Sequence, residues 1–176
     1  MEIDAVKRIV DCGLLDGKRI FTTNKKYNRF LKPKNRSLEI KPIGLWYSVG
    51  SSWIDWCIGN EYNGIGNYIY EVHINMKSNM LLIDTKDKIF EFSNNYKRTD
   101  GFYKELSTSH IEWARVMNNY DGIEINPYYE DMRLSYNLLW YYGWDVPSGC
   151  IWNKEAKNKI NLIAEYDSIK KDFIFV

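Results

Sequence analysis

Along residues 67–76 large apolar side chains alternate with polar ones, with Tyr68, Tyr70, Val72 and Ile74 all on one parity. A period of two is the pattern of a strand that buries a single face. Segments of the same character recur. Residues 19–23 (RIFTT), 43–49 (IGLWYSV) and 80–84 (MLLID) are rich in β-branched, aromatic and aliphatic residues and are bounded by turn formers. Between them lie helical patterns. Val6, Ile9, Val10 and Leu14 make one face of a short helix within residues 5–15, which Gly13 and Gly17 end. Gly50, Ser51 and Ser52 supply a turn and an N-cap for a helix over 53–58. Strands and helices therefore interleave, with no repeat and no Gly/Ser or Pro linker between them. That order predicts one α+β unit over residues 1–176.

The connections follow from neighbouring elements. Residues 67–76 and 80–84 stand close enough to predict a hairpin or meander. Within 86–108, Ile89, Phe90 and Phe92 are expected as core contacts of a short helix, and Ser109 is expected to cap a better one over 111–117. Asp121-Gly122 is a strong turn dipeptide and leads into a strand at Ile123 and Ile125. Residues 128–140 suggest a helix ending near Gly143, and residues 148–153 and 160–163 two closing strands. Residues 24–41 carry Lys, Asn, Arg and Pro breaks and read as a basic, exposed connection.

Composition narrows the function. Seven Trp and fourteen Tyr in 176 residues supply far more ring surface than a disordered chain carries. With 24 Lys and Arg against 23 Asp and Glu, the net charge of +1 provides no global field toward nucleic acid or an anionic membrane. Charges at Glu2, Asp4, Lys7 and Arg8 are incompatible with a secretory leader, and no apolar run approaches the ~18 residues of a membrane span. Cys12, Cys57 and Cys150 are odd in number and widely spaced, which fits a reducing cytoplasm better than a disulfide framework. His73 and His110 lack a second ligand at metal spacing, so no metal site is expected. Phosphate loops, dinucleotide fingerprints, nucleophile elbows and zinc-protease motifs are all absent.

What remains is a polar and aromatic set in three places: residues 19–23, 44–56 and 120–153. Gly44-Leu45-Trp46-Tyr47-Ser48, followed by Ser51-Ser52-Trp53 and Trp56-Cys57, resembles the second strand and serine-bearing helix of the ADP-ribosyltransferase superfamily. Tyr120-Asp121-Gly122-Ile123, then Ser148-Gly149-Cys150-Ile151-Trp152-Asn153 and Lys159-Ile160, are similar to the C-terminal half of divergent bacterial and phage members.

The resemblance implies two small, mostly antiparallel sheets around an NAD cleft with flanking helices. It implies that Arg19, Phe21, Thr22 and Thr23 form the first strand of the NAD site, whose backbone meets the nicotinamide amide. Gly44, Tyr47, Ser48 and Trp53 would supply the second wall. Tyr47 or Trp53 would stack on nicotinamide, and Arg19 would hold the pyrophosphate through charge-assisted hydrogen bonds. Active members usually start the late strand with a glutamate, where this chain has Ser148 or Gly149. The catalytic candidates are therefore Asp145, Ser148 and Glu124, the carboxylates standing in for that glutamate. The implied reaction transfers ADP-ribose to a macromolecular acceptor, protein or nucleic acid, by a monomer in the cytoplasm, or in the host cytoplasm if phage-encoded.

Each of these residues has an ordinary role too. Trp46, Tyr47, Trp53 and Trp56 suit a core as well as a cofactor platform. The cluster of Lys25, Lys26, Arg29, Lys32, Lys34 and Arg36 with Tyr27 and Phe30 can track a phosphate backbone or form a solvated loop. An alternative from another class is a non-catalytic binding or inhibitory protein that seizes a partner with an aromatic surface.

Overall fold

The computed structural model describes residues 2–30, 33, 40–99 and 110–176. The expected cap at Ser109, and Lys32, Lys34 and Arg36 of the basic cluster, lie outside the described residues. The chain opens with α1 (Ile3–Asp11), whose Ala5, Val6 and Ile9 are buried, and β1 (Arg19–Thr23) follows. Next come β2 (Leu45–Val49), α2 (Ser52–Gly59), β3 (Tyr68–Ile74), β4 (Met80–Ile83), α3 (Lys86–Tyr96) and α4 (Trp113–Asn119). Then β5 (Gly122–Ile125) leads into 3-10 turns at Glu130–Met132 and Tyr136–Gly143. β6 (Ser148–Ile151), a further 3-10 turn at Lys154–Ala156, β7 (Lys157–Asp167) and β8 (Asp172–Phe175) complete the chain. Among the described residues, no helix is long and apolar enough to cross a membrane.

The α+β class holds, and one part of its expected architecture does not. In place of two small sheets there is one eight-stranded sheet, in the order β4-β5-β6-β2-β1-β3-β7-β8. The reason is that β2 pairs with β6 on one side and with β1 on the other. The second contact is narrow, registered only at Arg19–Val49 and Ile20–Ser48. Two wings of the sheet therefore meet at a short seam.

Each wing carries its own core. Ile83, Ile123, Ile125 and Cys150 pack with Phe92, Trp113, Val116, Trp140 and Trp144 beneath α3 and α4. Ile20, Ile69, Ala164 and Phe173 pack with Ala5, Val6, Ile9 and Ile54 of α1 and α2. On the opposite face a third cluster, including Leu45, Tyr47, Val72 and Ile151, takes members from both wings, with Tyr27 and Phe30 packed against it. Those two rings are thus part of a core edge rather than a free stacking surface.

The hairpin expected from residues 67–84 is absent. β3 pairs with β1 and β7, while β4 runs parallel to β5 at the far edge of the sheet. Parallel neighbours need a crossover, and here α3 and α4 lie between β4 and β5 in the chain. Within α3, Ile89 and Phe92 are buried as expected, whereas Phe90 is exposed.

Candidate functional site

The seam decides where a site can form. Gly50 N–H donates to the Lys18 carbonyl at 2.7 Å, and Ile20 stands opposite Ser48 two residues on. Antiparallel partners alternate in the direction of their backbone groups, so Lys18, Ile20 and Thr22 all face β2. The ladder stops after Ile20, and the N–H and C=O of Thr22 point into the opening between β1 and β2. Phe21, Thr22 and Thr23 remain anchored from behind by Tyr70, Ile69 and Tyr68 of β3.

A pocket of about 290 Å³ occupies this opening. Ile20, Phe21, Thr22, Trp46, Tyr47 and Ser48 line it from the two strands, and Trp53, Gly64, Lys41, Asp145, Val146 and Ser148 complete it. Seven of the residues singled out from sequence thus converge here: Phe21, Thr22, Tyr47, Ser48, Trp53, Asp145 and Ser148. Two indoles wall the cavity. Trp53 donates its Nε1–H to the Gly64 carbonyl at 3.2 Å and stacks on Trp56 at 5.2 Å with the rings nearly parallel. Trp46 donates to the Pro42 carbonyl at 3.1 Å and meets Trp144 edge to face at 5.0 Å. Both are fixed by hydrogen bond and ring contact, so each is a preformed wall.

The polar groups are equally organised. Asp145 accepts from Arg133 Nη2 at 2.8 Å, and Lys41 Nζ lies 3.9 Å from its other oxygen. The Lys41 ammonium also sits 5.1 Å from the centre of the Trp46 ring. Burial holds the Lys41 pKa below its ordinary value, although Asp145 and then Cys150 pull it upward and Arg133 adds to the lowering. The Ser148 hydroxyl donates to the Val146 carbonyl at 2.9 Å, and Ser48 faces the Ile20 carbonyl at 3.4 Å. Ser148 is thereby a wall of the pocket with its proton already committed.

Arg19 and Glu124 belong elsewhere. Arg19 Nε donates to Glu124 Oε2 at 2.6 Å, Arg19 Nη2 to Oε1 at 3.2 Å, and Tyr47 Oη to Oε2 at 2.8 Å. Side chains alternate across a sheet, so Tyr47 and Glu124 project from the face opposite Trp46, Ser48 and Ser148. Burial, and next the neighbouring Glu124 carboxylate, push the Tyr47 phenol well above the usual value. Arg19, expected to hold a pyrophosphate, does not line this pocket: its guanidinium is bound to Glu124 across the sheet. Glu124, a candidate catalyst, likewise stands outside this pocket, at the centre of the ion pair with Arg19.

Two further expected residues are placed for packing. A side-chain carbon on Gly44 would lie 2.3 Å from the Ile151 carbonyl oxygen, so the glycine admits close strand approach. Thr23 is the backbone surface against which Gly66 packs, and it does not line the pocket. Asp121 accepts from Asn79 N–H at 2.9 Å and Asn153 Nδ2 at 2.6 Å, which makes it a staple between two turns.

Trp46 and Lys41 escaped the sequence reading as site residues. The signal for Trp46 was present, since a residue two places from Ser48 shares its face. Lys41 lay at the end of a basic run, with nothing to distinguish it from its neighbours. Among the described residues, no group of three or more His, Cys, Asp or Glu is arranged to hold a metal ion. No family model matches the chain, and no match was found among the curated proteins or the solved structures.

Proposed function

We propose that the pocket at the seam takes the nicotinamide riboside half of NAD and that the protein transfers ADP-ribose to a macromolecular acceptor, protein or nucleic acid. One observation carries this reading: the Thr22 backbone beyond the end of the β1–β2 ladder, an indole wall and the Asp145 carboxylate open onto the same cavity. A primary amide has one donor face and one acceptor face, which the C=O and N–H of Thr22 complement. A planar ring with an apolar face suits Trp46 or Trp53. A volume of about 290 Å³ stands at the low end of ligand pockets, which fits half of a dinucleotide and leaves the adenylate end outside.

NAD would supply the electrophile: the acceptor's lone pair forms a bond to C1 of the nicotinamide ribose while the glycosidic electron pair leaves with nicotinamide. Asp145 would stabilise positive charge developing on the sugar, a term that is commonly among the largest in such chemistry. Arg133 holds that carboxylate in place through its 2.8 Å hydrogen bond. The acceptor's proton passes to Asp145 or to water. The walls of Trp46 and Trp53 limit water at the reacting carbon.

Incubation of the purified protein with labelled NAD and cell lysate tests the reading. Label transferred to protein or nucleic acid is the expected result. No transfer, no NAD hydrolysis and no NAD-induced thermal shift would end it.

A second reading is favoured by a specific surface. Leu134, Tyr136, Leu139 and Tyr142 are all exposed along one short segment, apolar area of the kind that marks a protein contact. A binding or inhibitory protein would use these side chains and no chemistry. Polar substitutions at Tyr136 and Tyr142 that abolish the biological effect, with Asp145→Ala harmless, would decide for it.

A further inference from the structure

Two cations converge on the carboxylate that lines the pocket. Lys41 and Arg133 both approach Asp145, so two cations share one carboxylate. Arg133 takes the close position at 2.8 Å, while Lys41 stands off at 3.9 Å, beyond good hydrogen-bond range. Arg133 is also anchored over the Tyr142 ring at 4.9 Å, whereas Lys41 lines the cavity. The Lys41 stem is fixed from behind. Gly143 leaves room for it, since a side-chain carbon there would lie 2.7 Å from Lys41 Cε. A positioned ammonium, partly stripped of water and with no close acceptor among the described residues, is a group that an incoming anion would satisfy.

The geometry points to Lys41 as the anion-binding residue of the pocket, holding the phosphate groups of a ligand whose planar ring lies against the indole walls. This inference rests on the NAD reading for the identity of the ligand, and it moves the phosphate contact from Arg19 to the other face of the sheet. The cavity then has three stations: the Thr22 backbone for an amide, Asp145 for a sugar and Lys41 for a phosphate. Lys41 is a binding residue here and takes no part in bond making.

Three probes separate the possibilities: NAD, nicotinamide alone and inorganic pyrophosphate, each titrated against the wild-type chain, Lys41→Met and Lys41→Arg. Lys41→Met is expected to weaken NAD and pyrophosphate by about ten- to hundredfold, the loss of one charge-assisted hydrogen bond. It should leave nicotinamide affinity unchanged, and Lys41→Arg should retain most of the pyrophosphate affinity. Wild-type affinity for pyrophosphate should also fall as salt rises. Nicotinamide bound as in wild type by both variants shows that the pocket is intact. Equal pyrophosphate affinity in wild type and Lys41→Met, or no pyrophosphate binding by the wild type, overturns the assignment. A wild-type chain that binds pyrophosphate through Lys41 but neither NAD nor nicotinamide upholds the anion site and ends the NAD reading instead.

Discussion

Tyr47 lies across Gly149, its partner on the neighbouring strand, and so reaches Glu124 one strand further on. A side-chain carbon at 149 would stand 2.4 Å from Tyr47 Cζ and Oη, so the glycine is what allows the phenol to bridge two strand spacings. Gly149→Ala is expected to cost about 2 kcal/mol by overpacking, read from the urea midpoint. In a Tyr47→Ala background the same substitution should cost markedly less. An equal cost in both backgrounds would mean that the clash lies with the Ile123 carbonyl, 2.7 Å away, and not with the ring.

The ion pair behind the sheet predicts a loss of stability without a loss of ligand binding. The Glu124 side chain is only 10% exposed while that of Arg19 is 37% exposed, which places the pair between a surface and a buried salt bridge. Arg19→Met should therefore destabilise by about 2 kcal/mol, below the 3–5 kcal/mol of a fully buried case. NAD affinity should stay within about twofold, because the guanidinium is bound to Glu124 and does not line the pocket, and solvent and salt screen its charge. A tenfold loss of affinity in a folded Arg19→Met chain would return Arg19 to the ligand site.

Asp145→Asn and Glu124→Gln separate the two faces by activity. The first should lower transfer by about a hundredfold or more while keeping nicotinamide binding, the usual scale for removing one electrostatic group from a site. The second should reduce the denaturation midpoint and leave the transfer rate of the folded protein within about threefold. Rates measured at saturating NAD give the comparison, and the reverse ranking would exchange their roles.

Trp53→Leu removes a ring that lines the pocket and stacks on Trp56. Loss of one stacking platform corresponds to about 1–3 kcal/mol, a fall in nicotinamide affinity of roughly five- to hundredfold. Quenching of tryptophan fluorescence on titration provides the measurement. Unchanged affinity would assign the stacking to Trp46 alone.

Alkaline pH should unfold the chain earlier than its carboxylates and amines suggest. Burial pushes the Cys57 thiol up to about 11 from 9.0 and the Tyr128 phenol up to about 12 from 10.0, and it raises Tyr47 and Tyr141 as well. In each case the folded state keeps a proton that the unfolded state releases. Their contribution is thus fully present below pH 9 and is lost as pH rises through the range from 9 to 12. Urea midpoints should hold steady from about pH 7 to about pH 8.5 and fall by about pH 10.5. A flat profile across that range would show these groups to be solvated.

Much of this fold was legible because local periodicity is a property of the strand itself. β1, β2, β3 and β5 stand where alternation and β-branched content place them. Pairing is another matter, since it is fixed by contacts between distant segments. Proximity in sequence made β3 and β4 look like a hairpin, yet β4 closes the far edge of the sheet beside β5. β8 carried no readable pattern, being four residues whose Ile174 and Phe175 remain exposed. The site divides along the same line. Thr22, Ser48, Trp53, Asp145 and Ser148 are recoverable as a set, whereas aromatic content alone does not separate Trp46, which shares the face of Ser48, from Tyr47, which turns to the other. Arg19 and Glu124 were recognised as unusual without any means of seeing, across 105 positions, that they neutralise each other.

The gap after Ile20 gives the molecule an interior edge, and recognition there would be written in the main chain. Substituting Thr22 by alanine, serine or valine leaves the same N–H and C=O facing the gap; only proline removes the donor. Sequence could then drift freely at that position while the amide-reading function persisted, so variability at residue 22 among related chains would be no sign that the site had been lost.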